Sequence, residues 1–336
     1  MENNKTSRTI KGLGLCSGGL DSILSGLLLQ KQKIEISFIC FETPFFSSKS
    51  AKKASLQTGI PLITLDITDE YLKMMQTPQN SFGKNMNPCT DCHALMFKIA
   101  GRFMQKQKFD FLFSGEVLGQ RLKSQTKNAL RYVEKKSGFQ KLILRPLSAK
   151  FLPKTLMEEN KIINREKLMD ISGRSRKIQI QMAKEFGIKE YPAPAGGCLL
   201  TDKAFSNKLK DLFYVQKKFV RDDIELLKYG RHFRLDPKTK IIVGRSYKDN
   251  QNVLKYFNEK KDIWLTCVDT PGPDVVIRQG VTKKQNDLIK KAAMLCAAYS
   301  KSNNSKRKKI EVTIGKTKEI INADIVKPLE FKDLML

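Results

Sequence analysis

The 336-residue chain is 40% hydrophobic, enough for a sizeable core, and its length suits two domains better than one. Lys and Arg total 62 against 34 Asp and Glu, a formal net charge of +28, which argues for a polyanionic partner: nucleic acid first, a membrane surface second. No apolar run approaches the ~20 residues of a spanning helix, which excludes a helical membrane protein and leaves no membrane partner expected.

The polar start, Met1 to Lys11, leads directly into a strand and does not read as a signal peptide, so a cytoplasmic location is expected. Thr9 to Cys16, TIKGLGLC, reads as a short buried strand, followed by a glycine turn and a helical stretch from Ile23 to Leu29. Ile34 to Phe41 is a second strand, Lys49 to Thr58 a helix, and Pro61 to Asp66 a third strand. Such alternation predicts an α/β fold, a parallel sheet with helices on both faces. Thr68 to Asn87 reads as a mobile loop, His93 to Lys106 as a helix, Phe109 to Ser114 and Lys141 to Leu144 as strands, and Leu152 to Asn164 and Arg174 to Phe186 as helices.

The character changes after Thr201. Leu209 to Lys228 reads as a basic helical connector, and from Gly230 the strands are short: HFRL, KIIVG, DIWLTCV and DVVIR. A helix, Asn286 to Tyr299, interrupts them; the basic run Lys306 to Lys309, a strand from Ile310 to Ile314 and a tail complete the chain. The expected division is residues 1–205 as an α/β domain, 206–228 as connector, and 229–336 as a smaller α+β domain.

Two constellations carry chemistry. Ser17-Gly18-Gly19-Leu20-Asp21-Ser22 lies between the first strand and the first helix. Glycines let backbone approach an anion, and a helix N-terminus offers unpaired N–H groups. Ser17 and Ser22 add hydroxyls. Asp21 repels phosphate unless it holds Mg²⁺ that bridges the phosphates. No Lys follows the glycines, so this is not the GxxxxGK[ST] loop. The second constellation is Cys89 and Cys92 at a helix start with Cys198 in the distant PAGGC turn. These three sit in polar or Gly/Pro surroundings, where cysteines serve as metal ligands or nucleophiles. His93 is a conceivable fourth ligand. Cys16, Cys40, Cys267 and Cys296 read as buried core residues. The odd total of seven cysteines argues against a disulfide framework.

SGGLDS resembles the SGGxDS loop of the PP-loop ATP pyrophosphatases. That resemblance implies the adenine nucleotide alpha hydrolase-like fold and adenylation of a substrate oxygen by ATP. NPCTDCHALMFK resembles the NPCxxCNxxIKF segment of tRNA 2-thiouridylases, with His93 where that pattern has Asn. FLFSGEVLGQR stands in the place of their ATGHYAR segment, LILRPLSAK resembles their post-strand segment, and PAGGCLL lies where they carry a second catalytic cysteine. SGRSRKIQIQMAKEFGI and YPAPAGGCLLTD are similar to a divergent branch of thiouridylase-like proteins, including 4-thiouridine synthetase-like ones, without their THUMP domain. Residues 228–326, including Asp262-Ile263-Trp264 and Pro271-Gly272-Pro273, resemble the RNA-binding domain of NFACT proteins.

These resemblances imply a tRNA uridine thiolation enzyme. Ser17, Gly18, Gly19, Asp21, Ser22, Phe41 and Gly115 would bind ATP and Mg²⁺. Asp21, Cys92 and Cys198 would be catalytic. Sulfur could travel as a persulfide on Cys198 with Cys92 resolving it, or through a [4Fe–4S] cluster held by Cys89, Cys92 and Cys198. The sulfur donor is sulfide or a persulfide carrier protein. Arg174, Arg176 and Lys177 are expected to face phosphates of ATP or tRNA. Arg231, Arg234, Arg245, Arg278, Lys306, Arg307, Lys308 and Lys309 are candidate RNA contacts, with Trp264 a core residue. An RNA- or ribosome-binding factor with an ATP-sensing domain, and an enzyme of sulfur insertion into a small molecule or of amide ligation, remain competing readings.

Overall fold

The computed structural model describes residues 8–193, 197–216, 219–278, 286–301 and 305–336. The Gly196 half of the expected Gly196-Gly197 turn, with Pro194 and Ala195, lies outside the described residues, as do Met1 to Ser7. The chain divides into two compact units, Met1–Thr201 and Asp202–Leu336.

The first unit carries a five-stranded sheet of β1 (Lys11–Leu15), β2 (Glu35–Glu42), β3 (Leu62–Asp66), β4 (Phe111–Ser114) and β5 (Ile143–Leu144), ordered β3-β2-β1-β4-β5. Every pairing is parallel. The connecting helices are α1 (Leu20–Gln30), α2 (Lys49–Thr58), α3 (Thr68–Gln76), α4 (Cys89–Lys106) and α5 (Lys127–Ser137), followed by the short α6 (Leu156–Glu159) and α7 (Lys177–Glu185). This is the α/β class the alternation predicts. Leu13, Phe38, Phe111 and Phe113 are fully buried, as strands covered on both faces require. The order of strands reverses between β1 and β4. In open parallel sheets the crevice at that reversal is where ligands bind, above the C-terminal strand ends.

Three expectations change. Thr68–Asn87 is no mobile loop: it opens with α3, and the remainder is pinned. Asn80 N and Nδ2 donate to Asp91 at 2.8 and 2.7 Å, Lys123 Nζ donates to the Phe82 carbonyl at 2.6 Å, and Asn85 Nδ2 to the Thr201 carbonyl at 2.6 Å. Leu152–Asn164 holds only the four residues of α6, because Pro153 stands ahead of it and Thr155 with Glu158 caps it late. Helix α5 has no counterpart in the sequence reading. Its buried face is only Leu130, Val133 and Ser137, too thin a stripe to stand out from its charged residues.

The second unit begins with α8 (Lys203–Val215) and α9 (Arg221–Leu226), then β6 (Arg231–Arg234), β7 (Lys240–Val243), α10 (Tyr247–Leu254), β8 (Ile263–Cys267), β9 (Val275–Arg278), α11 (Asn286–Tyr299), β10 (Arg307–Ile314) and β11 (Thr317–Asp324). Its antiparallel sheet runs β11-β10-β8-β9-β7-β6. One face packs on α11 through Phe233, Ile241, Leu265 and Ile277. The other packs on Leu226 of α9 and Val253 of α10 through Ile242 and Val276. The expected connector is therefore part of this unit. Asp202 caps α8 by accepting from Phe205 N at 2.7 Å, and Lys208 of α8 is buried and donates to the Leu227 and Gly230 carbonyls at 3.0 and 3.2 Å. The expected tail is the edge strand β11. No helix among the described residues is long and apolar enough to cross a membrane.

Candidate functional site

The loop Cys16–Gly19 turns from β1 into α1 at the sheet's reversal point. Gly18 has φ +77°, and a Cβ there would stand 2.2 Å from the Ser50 carbonyl carbon. Only glycine satisfies both constraints. Gly115 follows β4 and closes the crevice from the opposite side: its Cβ would lie 2.3 Å from Ser22 N and 2.4 Å from the Asp21 carbonyl carbon. Cys16 serves the loop's shape, its sulfur 3.4 Å from both Ser22 Oγ and Gly18 N. Burial raises its thiol pKa. Ser22 Oγ donates to the Gly19 carbonyl at 2.8 Å, so this hydroxyl supports the turn. Ser17 is exposed at its tip, and Phe41 is buried near the end of β2.

Asp21 occupies the first turn of α1. Burial raises its carboxyl pKa; Arg176, Gln120, Gln179 and Arg121 face it and pull it back. Yet Asp21 Oδ1 is buried without a hydrogen-bond partner, as are Arg176 Nε and both polar atoms of the fully buried Gln179. The Gln179 amide stands near the carboxylate without closing a well-formed bond. Buried polar groups are ordinarily paired, so these atoms are the donors and acceptors a charged ligand would use. Of the three basic residues expected here, Arg176 alone turns inward; it ends the turn before α7, and Arg174 and Lys177 are exposed.

Cys89, Cys92 and Cys198 are brought into one neighbourhood. Cys89 is the first residue of α4, and Cys92 lies one turn on, its N–H bonded to the Pro88 carbonyl at 2.8 Å. Cys198 is delivered by Leu199, whose N–H donates to the Phe45 carbonyl at 3.0 Å. The centre of the group is Tyr71 of α3, 1% exposed, whose hydroxyl bonds the Cys92 thiol and whose pKa is raised by burial and by all three thiols. Burial pushes the Cys92 thiol well up, and pushes Cys198 up to about 11, with Cys89 adding to both. Asn87 Nδ2 donates to Cys89 Sγ at 3.2 Å. Among the described residues, no three Cys, His, Asp or Glu side chains enclose a site for a single metal ion. Sequence reasoning passed over Tyr71, since nothing local marks a tyrosine in the segment it took for a loop.

His93 does not join the thiols. Its Nδ1 sits 2.7 Å from Glu116 Oε1, and Glu116 Oε2 accepts from Arg145 Nε at 2.9 Å. Arg145 also pairs with Glu134. Burial would raise the Glu116 pKa, but Arg145 and His93 outweigh it and hold the carboxyl at about 2. This buried network ties α4, α5 and the ends of β4 and β5 beneath the crevice. Glu116→Gln should therefore lower unfolding free energy by about 3–5 kcal/mol, because it strips the closest counter-charge from a buried guanidinium. Urea denaturation checks this; a loss under about 1 kcal/mol would mean Glu134 alone suffices.

In the second unit most of the expected phosphate contacts already have protein partners: Arg234 pairs with Asp211 and Arg278 with Asp262. Arg245 pairs with Asp249, and Arg231 stacks its guanidinium 4.7 Å from the Tyr299 ring centre. The basic run is not one continuous surface. Strand alternation buries Lys308, which donates to Thr270 Oγ1 and the Lys301 carbonyl; Lys306 and Lys309 stay exposed, and Arg307 pairs with Asp324 at 2.6 Å. Trp264 is a packing residue, its Nε1 donating to Asp274 at 2.9 Å and its ring edge-on to Phe257.

The family described as thiamine biosynthesis protein (ThiI) matches residues 8–179, just over half of the chain. The chain belongs to the ThiI family. The NFACT protein RNA binding domain matches residues 230–335. A probable tRNA sulfurtransferase of Oceanobacillus iheyensis is 30% identical over 141 residues, 41% of this chain and 34% of that protein. One from Ureaplasma parvum is 33% identical over 147 residues, 41% and 37% of the respective chains. This chain thus spans little more than a third of the curated relatives it matches. A solved 4-thiouridine synthetase–RNA complex with bound ATP aligns with TM-score 0.40 at 20% identity, over 65% of this chain and 52% of that one. The ThiI match contains the glycine loop, Cys89, Cys92, Gly115 and Arg176, and ends at Gln179; Cys198 lies beyond it.

Proposed function

We propose that this chain is an ATP-dependent sulfurtransferase that replaces a carbonyl oxygen of a tRNA uridine with sulfur. The observation that carries the reading is the gathering of Cys89, Cys92 and Cys198 around Tyr71 in the unit that also holds the SGGLDS loop. The relatives named as tRNA sulfurtransferases, and the RNA-binding family matched by the second unit, support the substrate class.

The chain's own residues would act as follows. The Gly18-Gly19 backbone and the α1 N-terminus receive the ATP phosphates. Arg176 and Arg121, already facing Asp21, offset their charge. The buried, unpartnered Asp21 Oδ1 fits a Mg²⁺ ligand, and Mg²⁺ supplies charge neutralisation at the phosphates. The uridine enters flipped, since its carbonyl is inaccessible within a stack. Its oxygen bonds to the α-phosphorus and the bond to pyrophosphate breaks. Sulfur then bonds to the ring carbon, and the C–O bond breaks with its electrons leaving on AMP. A poor leaving group has become a good one. The donor set of three thiols, with His93 engaged by Glu116, fits a [4Fe–4S] cluster with one iron not ligated by protein. When bound, the cluster would supply Lewis-acid activation of sulfide. Incubating the protein with tRNA, ATP and sulfide should yield a thiouridine on nucleoside mass spectrometry. RNA binding and ATP cleavage with no thionucleoside, under anaerobic conditions, would replace this reading with an ATP-sensing RNA-binding factor.

A further inference from the structure

Helix α7 carries one polar side chain into an apolar contact. Its buried residues are Gln179, Met182 and Ala183, and the last two join the core that holds Leu20, Ile23 and Leu24 of α1. Gln179 is 0% exposed, and neither its amide nitrogen nor its amide oxygen has a hydrogen-bond partner. A buried amide left unpaired bears its full desolvation cost, whereas an apolar side chain of the same shape bears none. The packing of α7 on α1 therefore does not account for a glutamine here.

Two further unpaired atoms stand beside it, and they are of the kinds the amide lacks. Asp21 Oδ1, in the first turn of α1, is an acceptor. Arg176 Nε is a donor; Arg176 immediately precedes α7, three residues before Gln179. Both side chains of α7 face the Asp21 carboxylate. The amide offers one group of each kind. Two hydrogen bonds, Gln179 Nε2 to Asp21 Oδ1 and Arg176 Nε to Gln179 Oε1, would satisfy all four atoms. They would leave Asp21 Oδ2 and the terminal nitrogens of Arg176 to meet a ligand. Ordering two charged side chains opposes these bonds, and a cation on the carboxylate with a phosphate on the guanidinium would supply that order.

We propose that Gln179 is a positioning residue for ATP–Mg²⁺: it joins Asp21 to Arg176, setting the carboxylate for the cation and the guanidinium for a phosphate as the nucleotide binds. The inference rests on the reading of the SGGLDS loop as a nucleotide site, and adds to it a residue that touches neither metal nor phosphate. The test titrates the full chain with Mg²⁺ and an ATP analogue whose α and β phosphorus atoms are joined by a methylene group, so that it is not cleaved there. Gln179→Met keeps the length of the side chain and removes both amide atoms. It should bind the analogue about tenfold more weakly in calorimetric titration, yet melt without nucleotide no lower than the wild type. Arg176→Lys keeps the positive charge and removes Nε, and should also weaken binding. Gln179→Met made on that background should cost clearly less, about threefold, because one half of the bridge is already gone. Wild-type affinity in either single variant would overturn the proposal. So would the full loss repeated on the Arg176→Lys background, since the amide would then touch the nucleotide itself. A wild type that binds no analogue would overturn the nucleotide reading of the loop, whereas a nucleotide-binding wild type with an indifferent Gln179→Met chain overturns this inference alone.

Discussion

Asp21→Asn is expected to cut ATP-dependent turnover by about 10²–10³-fold, the scale on which removal of one charge-stabilising group acts, while the chain stays folded and continues to bind RNA. A carboxylate beside a phosphate loop is repulsive unless a cation intervenes. Here it is also costly to the fold, because burial raises its pKa and Oδ1 has no hydrogen-bond partner. A carboxyl whose folded pKa is raised favours folding below its unfolded pKa, and that contribution is lost as pH rises through the folded value. At neutral pH the ionised Asp21 therefore works against stability. The Asn variant should melt no lower than the wild type at neutral pH, and should lack the gain the wild type shows on mild acidification. ATP–pyrophosphate exchange and paired melting curves at two pH values check both halves. Wild-type exchange by the Asn protein would remove the assignment of the loop. A lower melting temperature would mean that Asp21 is structural.

The contrast between Asp21 and Tyr71 marks what sequence can reveal. SGGLDS is a contiguous signal at a strand–helix junction, so its place between β1 and α1 could be read directly. Gly18 and Gly115 act on one crevice because β1 and β4 are neighbours at the point where strand order reverses. Alternation of strand and helix predicts a parallel sheet but not that order. Tyr71 gains its role only through packing, when α3 brings it against two cysteines on α4 and a third from the end of the unit. The Glu116–Arg145 pair is likewise 29 residues apart in sequence and adjacent in space. Nothing in GEVLG or ILRPL announces a buried ion pair.

In the second unit the misreading has a different source. Lys306 to Lys309 reads as a basic surface because composition counts charges without faces. Period-two alternation in β10 turns Lys308 inward, where the Thr270 hydroxyl and a backbone carbonyl satisfy its ammonium. The same alternation aligns Arg234, Lys240 and Arg278 on one face. Each was legible singly as a basic residue of a strand, but their abreast arrangement depends on β7 lying between β6 and β9, a register no local pattern encodes.

Each of Cys89→Ala, Cys92→Ala and Cys198→Ala should abolish both thiolation and bound iron. Protein prepared without oxygen should carry about four irons and four sulfides per chain, and a brown colour, if the three thiols hold a four-iron cluster. The grounds are the shared environment of the three sulfurs around Tyr71 and the absence of His93 from it, since Glu116 holds that ring. Two thiols from one turn of α4 and one from the Leu199 anchor leave one iron without a protein ligand. Cys40→Ala, Cys267→Ser and Cys296→Ala are the controls. Cys40 and Cys296 are buried in strand and helix cores, and Cys267 lies in the second unit against Thr270, so all three should keep iron and activity. Iron content reads the cluster independently of turnover. If Cys89→Ala retains full activity without iron while Cys92 and Cys198 stay essential, sulfur moves as a persulfide on Cys198 with Cys92 resolving it. If the bound metal is zinc and activity is indifferent to oxygen, the three thiols hold the ends of α4 and of the unit together, and the sulfur must reach the activated carbon without them.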